Sequence, residues 1–179
     1  MPSEVQPPPP LKLNLGCGHN RPGGWTNTDR DVDLCRPLPW KTAAASHILL
    51  EHVIEHLDTH RAYALMGEMF RVLRPGGLLW VLWPDPAQVM RAELTARERR
   101  AHLFDVMINH GHRSLWSGGS LRAALYAYGF DILHCGPAAW AADCFDYEGF
   151  AGAAGHRRLC RDTEKHDRET AQIFARKPL

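Results

Sequence analysis

The stretch that decides the fold is LNLGCGHNRPGGWTNTD, residues 13–29. Its apolar start predicts a buried strand that ends at Gly16. The glycine turn (residues 16–18) lets the backbone approach a ligand without an intervening side chain. A second short strand is predicted over residues 25–28, and it leads to Asp29, which is placed to accept hydrogen bonds from two ribose hydroxyls. Glycines for close approach and an acid for a ribose indicate an adenosine-type ligand.

Outward from this stretch, strand-length and helix-length apolar patterns alternate. Strands are predicted over residues 12–15, 25–28, 46–51, 78–83, 130–134 and 172–176. Helices are predicted from a cap at Asp58 or Thr59 to a stop at Pro75–Gly77, from about residue 87 to 108, and from a cap at Ser120 to Gly129. The second helix is expected to carry Met90, Leu94, Ala101, Phe104 and Ile108 on one face. This alternation predicts an α/β fold with a Rossmann-like, mainly parallel sheet and helices on both faces.

Length and composition indicate one domain. A chain of 179 residues is predicted to form a single domain over residues 11–179, preceded by a flexible proline-rich tail over residues 1–10. Residues 137–169 are predicted to be an insertion that serves as a substrate lid or an association surface. A net charge of +1 disfavours nucleic acid as a partner, and no apolar run reaches the ~20 residues that span a bilayer. Five cysteines without a CxxC pair favour reduced thiols and a cytoplasmic location.

The turn after the first strand does not carry the dinucleotide fingerprint. GxGxxG requires a third glycine where this chain has Arg21, and no helix-length segment separates the glycine turn from the second strand. A helix N-terminus for a diphosphate is therefore missing from the sequence pattern. A ligand without phosphates fits better than NAD or a nucleotide sugar.

The order of five motifs is similar to that of class I S-adenosylmethionine-dependent methyltransferases, in particular a small bacterial type with a shortened first helix. The motifs are LNLGCG, GWTNTD, DLCRPLPW, EHVIEHL and FRVLRPGG. This resemblance covers about residues 11–83 and implies S-adenosyl-L-methionine as the cofactor and an antiparallel last strand. The cofactor-binding residues that it implies are Asn14, Gly16, Cys17, Gly18, Asp29, Asp33, Leu34, Glu51 and His52.

Carried over position by position, the resemblance gives these residues different parts of the cofactor. The glycine turn should line the methionine portion and the ribose, and Asp29 should take the ribose hydroxyls. Asp33 or the backbone at Leu34 should meet the adenine. Glu51 and His52 should lie beside the methionine end and the acceptor. Cys17 is expected to be a small filler without chemistry.

Histidines are the candidate general bases. His52 is favoured because it follows the strand that points at the methyl group, and His112 is second because it precedes the third helix. His52, His56 and His60 recur at spacings of four, but the cap at Asp58 or Thr59 separates them, so no metal site is expected.

The sequence therefore predicts an S-adenosylmethionine-dependent methyltransferase that acts on a small-molecule or sugar-type acceptor, with O-methylation preferred. Enzymes that methylate amino groups of nucleic-acid bases carry [DNS]PP[YFW] after the fourth family strand, where this chain has EHVIEH, so base methylation is disfavoured. A catalytically weak cofactor-binding partner subunit, a macromolecular acceptor and a Rossmann-type nucleotide enzyme are the alternatives. The oligomeric state, monomer or dimer, stays open.

Overall fold

The computed structural model describes residues 9–138, 150 and 169–179. Its six-stranded sheet has the order β2-β1-β3-β4-β6-β5. The strands are β1 (Leu11–Leu15), β2 (Thr26–Thr28), β3 (Ala45–Glu51), β4 (Leu73–Pro84), β5 (Asp131–Pro137) and β6 (Thr170–Arg176). Neighbours from β2 to β4 are parallel, and β6 is antiparallel to both β4 and β5. The predicted fold class, including its antiparallel last strand, is confirmed.

Four α-helices and two 3-10 turns flank the sheet within the described ranges. They are α1 (Thr59–Val72), α2 (Pro86–Arg91), α3 (Ala96–Met107), α4 (Gly118–Ala127) and the turns Ile54–His56 and Asn109–Gly111. Asp58 caps α1 as predicted, because its carboxylate accepts a hydrogen bond from the backbone N–H of Arg61 at 3.0 Å. The proline-rich residues 1–8 and most of the predicted insertion lie outside the described residues.

The single helix predicted over about 87–108 is wrong. The chain forms α2 and α3 instead, and Thr95 starts α3 with a capping box that it shares with Glu98. The guanidinium of Arg99 donates to the carbonyls of Val89 and Ala92 at 2.7 and 3.1 Å, which satisfies the end of α2. These local hydrogen bonds make the break more favourable than a continuous helix.

The single apolar face predicted for that segment is also wrong. Met90, Phe104 and Ile108 are more than half exposed. The buried residues of the segment include Val89, His102 and Val106. Breaking the helix at residues 92–95 changes the rotational phase between its two halves, so a face drawn through both halves is not one face of the molecule.

Two other predicted boundaries shift. The cap of α4 is Ser117, not Ser120, and the Ser120 hydroxyl completes a capping box at the third helical position. The helix α1 ends at Val72, and the Pro75–Gly77 stretch predicted to stop it already lies within β4. A register shift between Ala45 and the next paired residue of β3 accommodates this early start of β4.

The sheet carries a hydrophobic core on each face. One face packs against α1 and α4, through side chains that include Leu65, Met66 and Leu125. The other face has an aromatic cluster in which Trp80 stacks on Phe174 with ring centroids 4.8 Å apart. Both faces of β3 and β4 are therefore covered, which explains why these strands are continuously apolar in sequence.

A half-buried ion pair fixes the proline-containing loop before β3. Glu68 and Arg71 on α1 pair at 2.7 Å, and Arg71 donates to the carbonyls of Leu38 and Trp40. The hydrogen bonds from Arg71 lower the pKa of Glu68, and Glu68 in turn raises the pKa of Arg71. The loop that the resemblance places near the adenine is thus held to the body of the domain.

Candidate active site

The site lies at the carboxyl ends of β1, β2 and β3. Leu15 of β1 pairs with Thr28 of β2 on one side and with Leu50 of β3 on the other. The glycine turn, Asp29 and Glu51 follow these three positions directly, so parallel pairing brings them to one edge of the sheet. This is the edge at which the sequence predicted the ligand.

The glycine turn has two glycines with different roles. Gly16 has φ +67°, and a Cβ atom built on it would lie 2.5 Å from Cγ2 of Val53. Gly18 has φ +48°, and no atom lies within 4 Å of the position of its Cβ. Gly16 is therefore required for packing between two strand ends, whereas Gly18 leaves the backbone open for a ligand.

Replacing these two glycines separates the two roles. Gly16→Ala adds a left-handed strain of about 1–2 kcal/mol and an overlap with Val53 that costs about 1–3 kcal/mol. Gly18→Ala adds the strain alone, about 1–2 kcal/mol. Urea unfolding is expected to show the larger loss of free energy of unfolding for Gly16→Ala. Equal losses for the two variants would contradict the assigned contact with Val53.

Cys17 is a buried filler at the centre of the turn. Its backbone N–H donates to the carbonyl of Thr28 at 2.8 Å, which ties the turn to β2. Burial raises the pKa of its thiol. A thiol that is harder to ionise is a poorer nucleophile at neutral pH.

A network of amides fixes the short loop between β1 and β2, where residues 16–25 form no helix. The side-chain nitrogen of Asn14 donates to the carbonyl of Asn20 at 2.8 Å and to Oδ1 of Asn27 at 3.0 Å. The amide of Asn20 donates to the buried carboxylate of Glu51 at 2.9 Å. Asn14 thus orders the loop, and its amide hydrogens are used within the protein. Asn20 and Asn27 were not singled out from the sequence.

Asp29 presents a carboxylate at the end of β2. The residue is half-buried, and its backbone N–H donates to Oδ1 of Asp31 at 2.6 Å. Within the described ranges, no hydrogen bond is donated to its own carboxylate. It is therefore available to accept hydrogen bonds from a ligand beside the glycine turn.

Asp33 is engaged in its own turn. Its carboxylate is exposed, accepts the backbone N–H of Cys35 at 2.9 Å and pairs with Arg36 at 3.2 Å. The hydrogen bond from Cys35 is the main reason that the pKa of Asp33 lies below its usual value. Leu34 is half-buried against the core, so its backbone remains the better candidate for the adenine contact.

His52 lies at the end of β3 in a left-handed conformation with φ +53°. Its backbone N–H donates to the carbonyl of Leu82 on β4 at 3.0 Å, and its Nδ1 lies 3.2 Å from Oε1 of Glu55. Glu55 is only 2% exposed. A strained backbone of about 1–3 kcal/mol and a buried carboxylate together orient this imidazole.

His112 comes from a distant segment, and one of its ring nitrogens lies within 4.8 Å of a carboxylate oxygen of Glu55. The backbone N–H groups of Arg113 and Ser114 donate to the carbonyl of Glu55 at 2.8 and 3.1 Å. The His112 ring lies 5.0 Å from the ring of His56. The two predicted base candidates, His52 and His112, are thus grouped around Glu55, whereas His60 is exposed at the start of α1.

A cavity of about 470 Å³ opens beyond the carboxyl end of β4, the neighbour of β3 in the sheet. Its polar lining includes the buried Asp85 and the side chains of Arg91 and Arg122. The carboxylate of Asp85 accepts the backbone N–H groups of Ala87 and Gly118, so it holds α2 and α4 on either side of the cavity. Its volume is in the range of small-molecule sites.

The fold is that of a Rossmann-like α/β protein, with a six-stranded, mostly parallel sheet. The family model described as a methyltransferase domain matches residues 13–135. The chain therefore belongs to the methyltransferase-domain family, and it is a class I S-adenosylmethionine-dependent methyltransferase. No match was found among curated proteins.

Solved structures share this fold at low sequence identity. A SAM-dependent methyltransferase from Archaeoglobus fulgidus is 15% identical, with 94% of this chain and 86% of that chain covered at a TM-score of 0.59. A chain in the Haloferax volcanii complex of the Trm112 methyltransferase activator with a methyltransferase is 12% identical, with 95% of this chain and 83% of that chain covered at a TM-score of 0.60. The [4+2]-cyclase SpnF is 18% identical, with 95% of this chain and 75% of that chain covered at a TM-score of 0.59.

The residues present fit the cofactor that the family uses, S-adenosylmethionine. Open space at Gly18 admits a ligand against the backbone, and the carboxylate of Asp29 beside it can accept hydrogen bonds from vicinal hydroxyls.

No helix within the described ranges is long and apolar enough to cross a bilayer.

Proposed function

We propose that this methyltransferase transfers the methyl group of S-adenosylmethionine to a hydroxyl oxygen of a small-molecule or sugar-type acceptor. The observation that carries the proposal is the position of the His52–Glu55 pair at the same sheet edge as the glycine turn and Asp29. When bound, the cofactor supplies an activated methyl group on a sulfonium. The chain has to hold both reactants in line and remove a proton.

Binding residues divide between the two ends of the cofactor. Asp29 accepts hydrogen bonds from the ribose hydroxyls, and the backbone of Gly18 contacts the cofactor. Glu51, held by Asn20 at 2.9 Å, borders the methionine end. The backbone at Leu34 meets the adenine, in the loop that Arg71 holds in place.

His52 is the general base in this proposal. Its Nδ1 lies 3.2 Å from Oε1 of Glu55, so the buried carboxylate stabilises the imidazolium that forms when His52 takes the proton of the acceptor hydroxyl. His112 is the second candidate, because its Nδ1 lies 2.7 Å from the carbonyl of Val106 and only Nε2 is left to act. A hydroxyl acceptor needs such a base more than a neutral amine does, which supports O-methylation.

The cavity beyond β4 supports a small acceptor. Its volume of about 470 Å³ suits a sugar or a compound of similar size, and Arg91 and Arg122 suit polar or anionic groups on it. We also propose that the protein is cytoplasmic, as its cysteine pattern indicates, and that nucleic acid is not its partner.

The acceptor class is tested with matched pairs of compounds. Sugars and phenols that differ only in a hydroxyl or an amine at one position are incubated with the enzyme and S-adenosylmethionine, and release of S-adenosylhomocysteine is measured. Turnover of hydroxyl compounds with at least tenfold lower rates on their amine partners is expected. Preferential turnover of the amines would overturn O-methylation. Turnover only with protein or RNA fractions would overturn the small acceptor.

A further inference from the structure

A cluster of three potential metal ligands lies beside the proposed base. One oxygen of Glu55, one ring nitrogen of His56 and one of His112 all lie within 4.8 Å of one another. Glu55 and His56 belong to the 3-10 turn after β3, and His112 comes from the segment before α4. The backbone hydrogen bonds from Arg113 and Ser114 to the Glu55 carbonyl fix the two segments together.

Each member of the cluster suits ligation. The Nδ1 of His112 lies 2.7 Å from the carbonyl of Val106, so this nitrogen donates and Nε2 keeps its lone pair. Such an outer hydrogen bond is the usual way in which a protein orients a metal-binding imidazole. His56, with 42% of its side chain exposed, gives the cluster an entry path from solvent. Glu55 supplies a negative charge that is buried and held near His52.

We infer that Glu55, His56 and His112 bind a divalent transition-metal ion. Two imidazoles and one carboxylate are the donor set of zinc, manganese, cobalt and iron(II) sites with open coordination positions. Metal–ligand bonds of about 2.0–2.2 Å require ligand atoms about 3–3.5 Å apart, so the three atoms need to move inward by an ångström or so. Such a movement is within the reach of the exposed His56 side chain.

This ligand set differs from the group of histidines at spacings of four, for which no metal site was expected. His52, His56 and His60 recur at spacings of four in the sequence, and His60 is exposed at the start of α1. In the structure, the histidine close to Glu55 and His56 is His112, which is 56 positions away from His56 in the sequence. His52 contacts Glu55 and would support the carboxylate from outside the ligand set.

The ion would have a defined role at this position. An open coordination position next to His52 can hold the acceptor oxygen and favour its deprotonated form. This role rests on the proposed O-methylation, whereas binding of the ion does not. Metal binding is therefore measured on the full-length protein alone, without cofactor or acceptor.

The test uses chelator-treated protein titrated with Co²⁺ or Zn²⁺. We expect one ion per chain with a dissociation constant in the micromolar range or below, and visible Co²⁺ absorption that reports nitrogen and oxygen ligands. His56→Ala and His112→Ala should each weaken binding at least tenfold, and His60→Ala should leave it unchanged. Since His56 is exposed, its variant tests the site without a large loss of folding.

Two outcomes would overturn the inference. One is wild-type binding with a dissociation constant weaker than about millimolar. The other is equal affinity in the wild type and in the His56→Ala and His112→Ala variants, with circular dichroism showing that all are folded. Binding of S-adenosylhomocysteine by the same metal-free samples is measured in parallel, so failure of the metal site is distinguished from failure of the cofactor site.

Discussion

Asp29→Ala is expected to weaken binding of S-adenosylhomocysteine roughly 100-fold. The carboxylate accepts hydrogen bonds from two ribose hydroxyls in our account, and each hydrogen bond to a charged group contributes about 1.5–3 kcal/mol. A loss of about 3 kcal/mol in total corresponds to roughly two orders of magnitude in the dissociation constant. Isothermal titration calorimetry of the variant beside the wild type measures this difference.

Asp33→Ala is the matched control for Asp29→Ala. It removes a carboxylate from the same edge of the domain, but one that is occupied by Cys35 and Arg36. We expect less than a threefold change in the dissociation constant for Asp33→Ala. A larger effect at Asp33 than at Asp29 would mean that the adenine contact, not the ribose contact, depends on a carboxylate.

His52→Ala is expected to lower kcat by roughly 100-fold or more, within the usual contribution of a general base. The dissociation constant for S-adenosylhomocysteine should change less than threefold, because the imidazole acts on the acceptor. The measurement is the rate of methyl transfer at saturating cofactor with a hydroxyl acceptor identified in the matched-pair assay.

His52→Asn separates the base from the backbone at this position. The φ of His52 is +53°, a conformation that asparagine adopts more readily than alanine does. Asparagine therefore keeps the geometry at the end of β3 but cannot accept the proton. We expect kcat to fall as far in His52→Asn as in His52→Ala, and His60→Ala to have no effect. A His52→Asn enzyme with near wild-type kcat would show that His52 has a conformational role only.

Sequence patterns sufficed for most of the fold because they report local burial. The strands β1, β3 and β4 are apolar runs that end at glycine, acid or proline, and the structure contains them with boundaries that shift by a few residues. The segment over residues 87–108 failed because its apolar residues match a helical period across a break. Only the capping box at Thr95 and the hydrogen bonds from Arg99 reveal that break.

The site was predictable to the extent that it follows the ends of consecutive strands. The glycine turn, Asp29 and Glu51 come together through parallel pairing, which a strand pattern implies. The contact between Asn20 and Glu51 depends on how a loop folds back over the sheet, and no pattern in sequence encodes it. The same holds for Glu55 and His112, which are 57 positions apart and come close where the backbone N–H groups of Arg113 and Ser114 donate to the Glu55 carbonyl.

Calorimetric titration of the purified wild-type chain with S-adenosylhomocysteine, with NAD as the control ligand, tests the cofactor site most directly. We expect one site per chain, a dissociation constant in the micromolar range and no heat of binding with NAD. Binding of NAD in preference to S-adenosylhomocysteine, or binding of neither, would contradict the claim that the glycine turn and Asp29 form a cofactor site for methyl transfer.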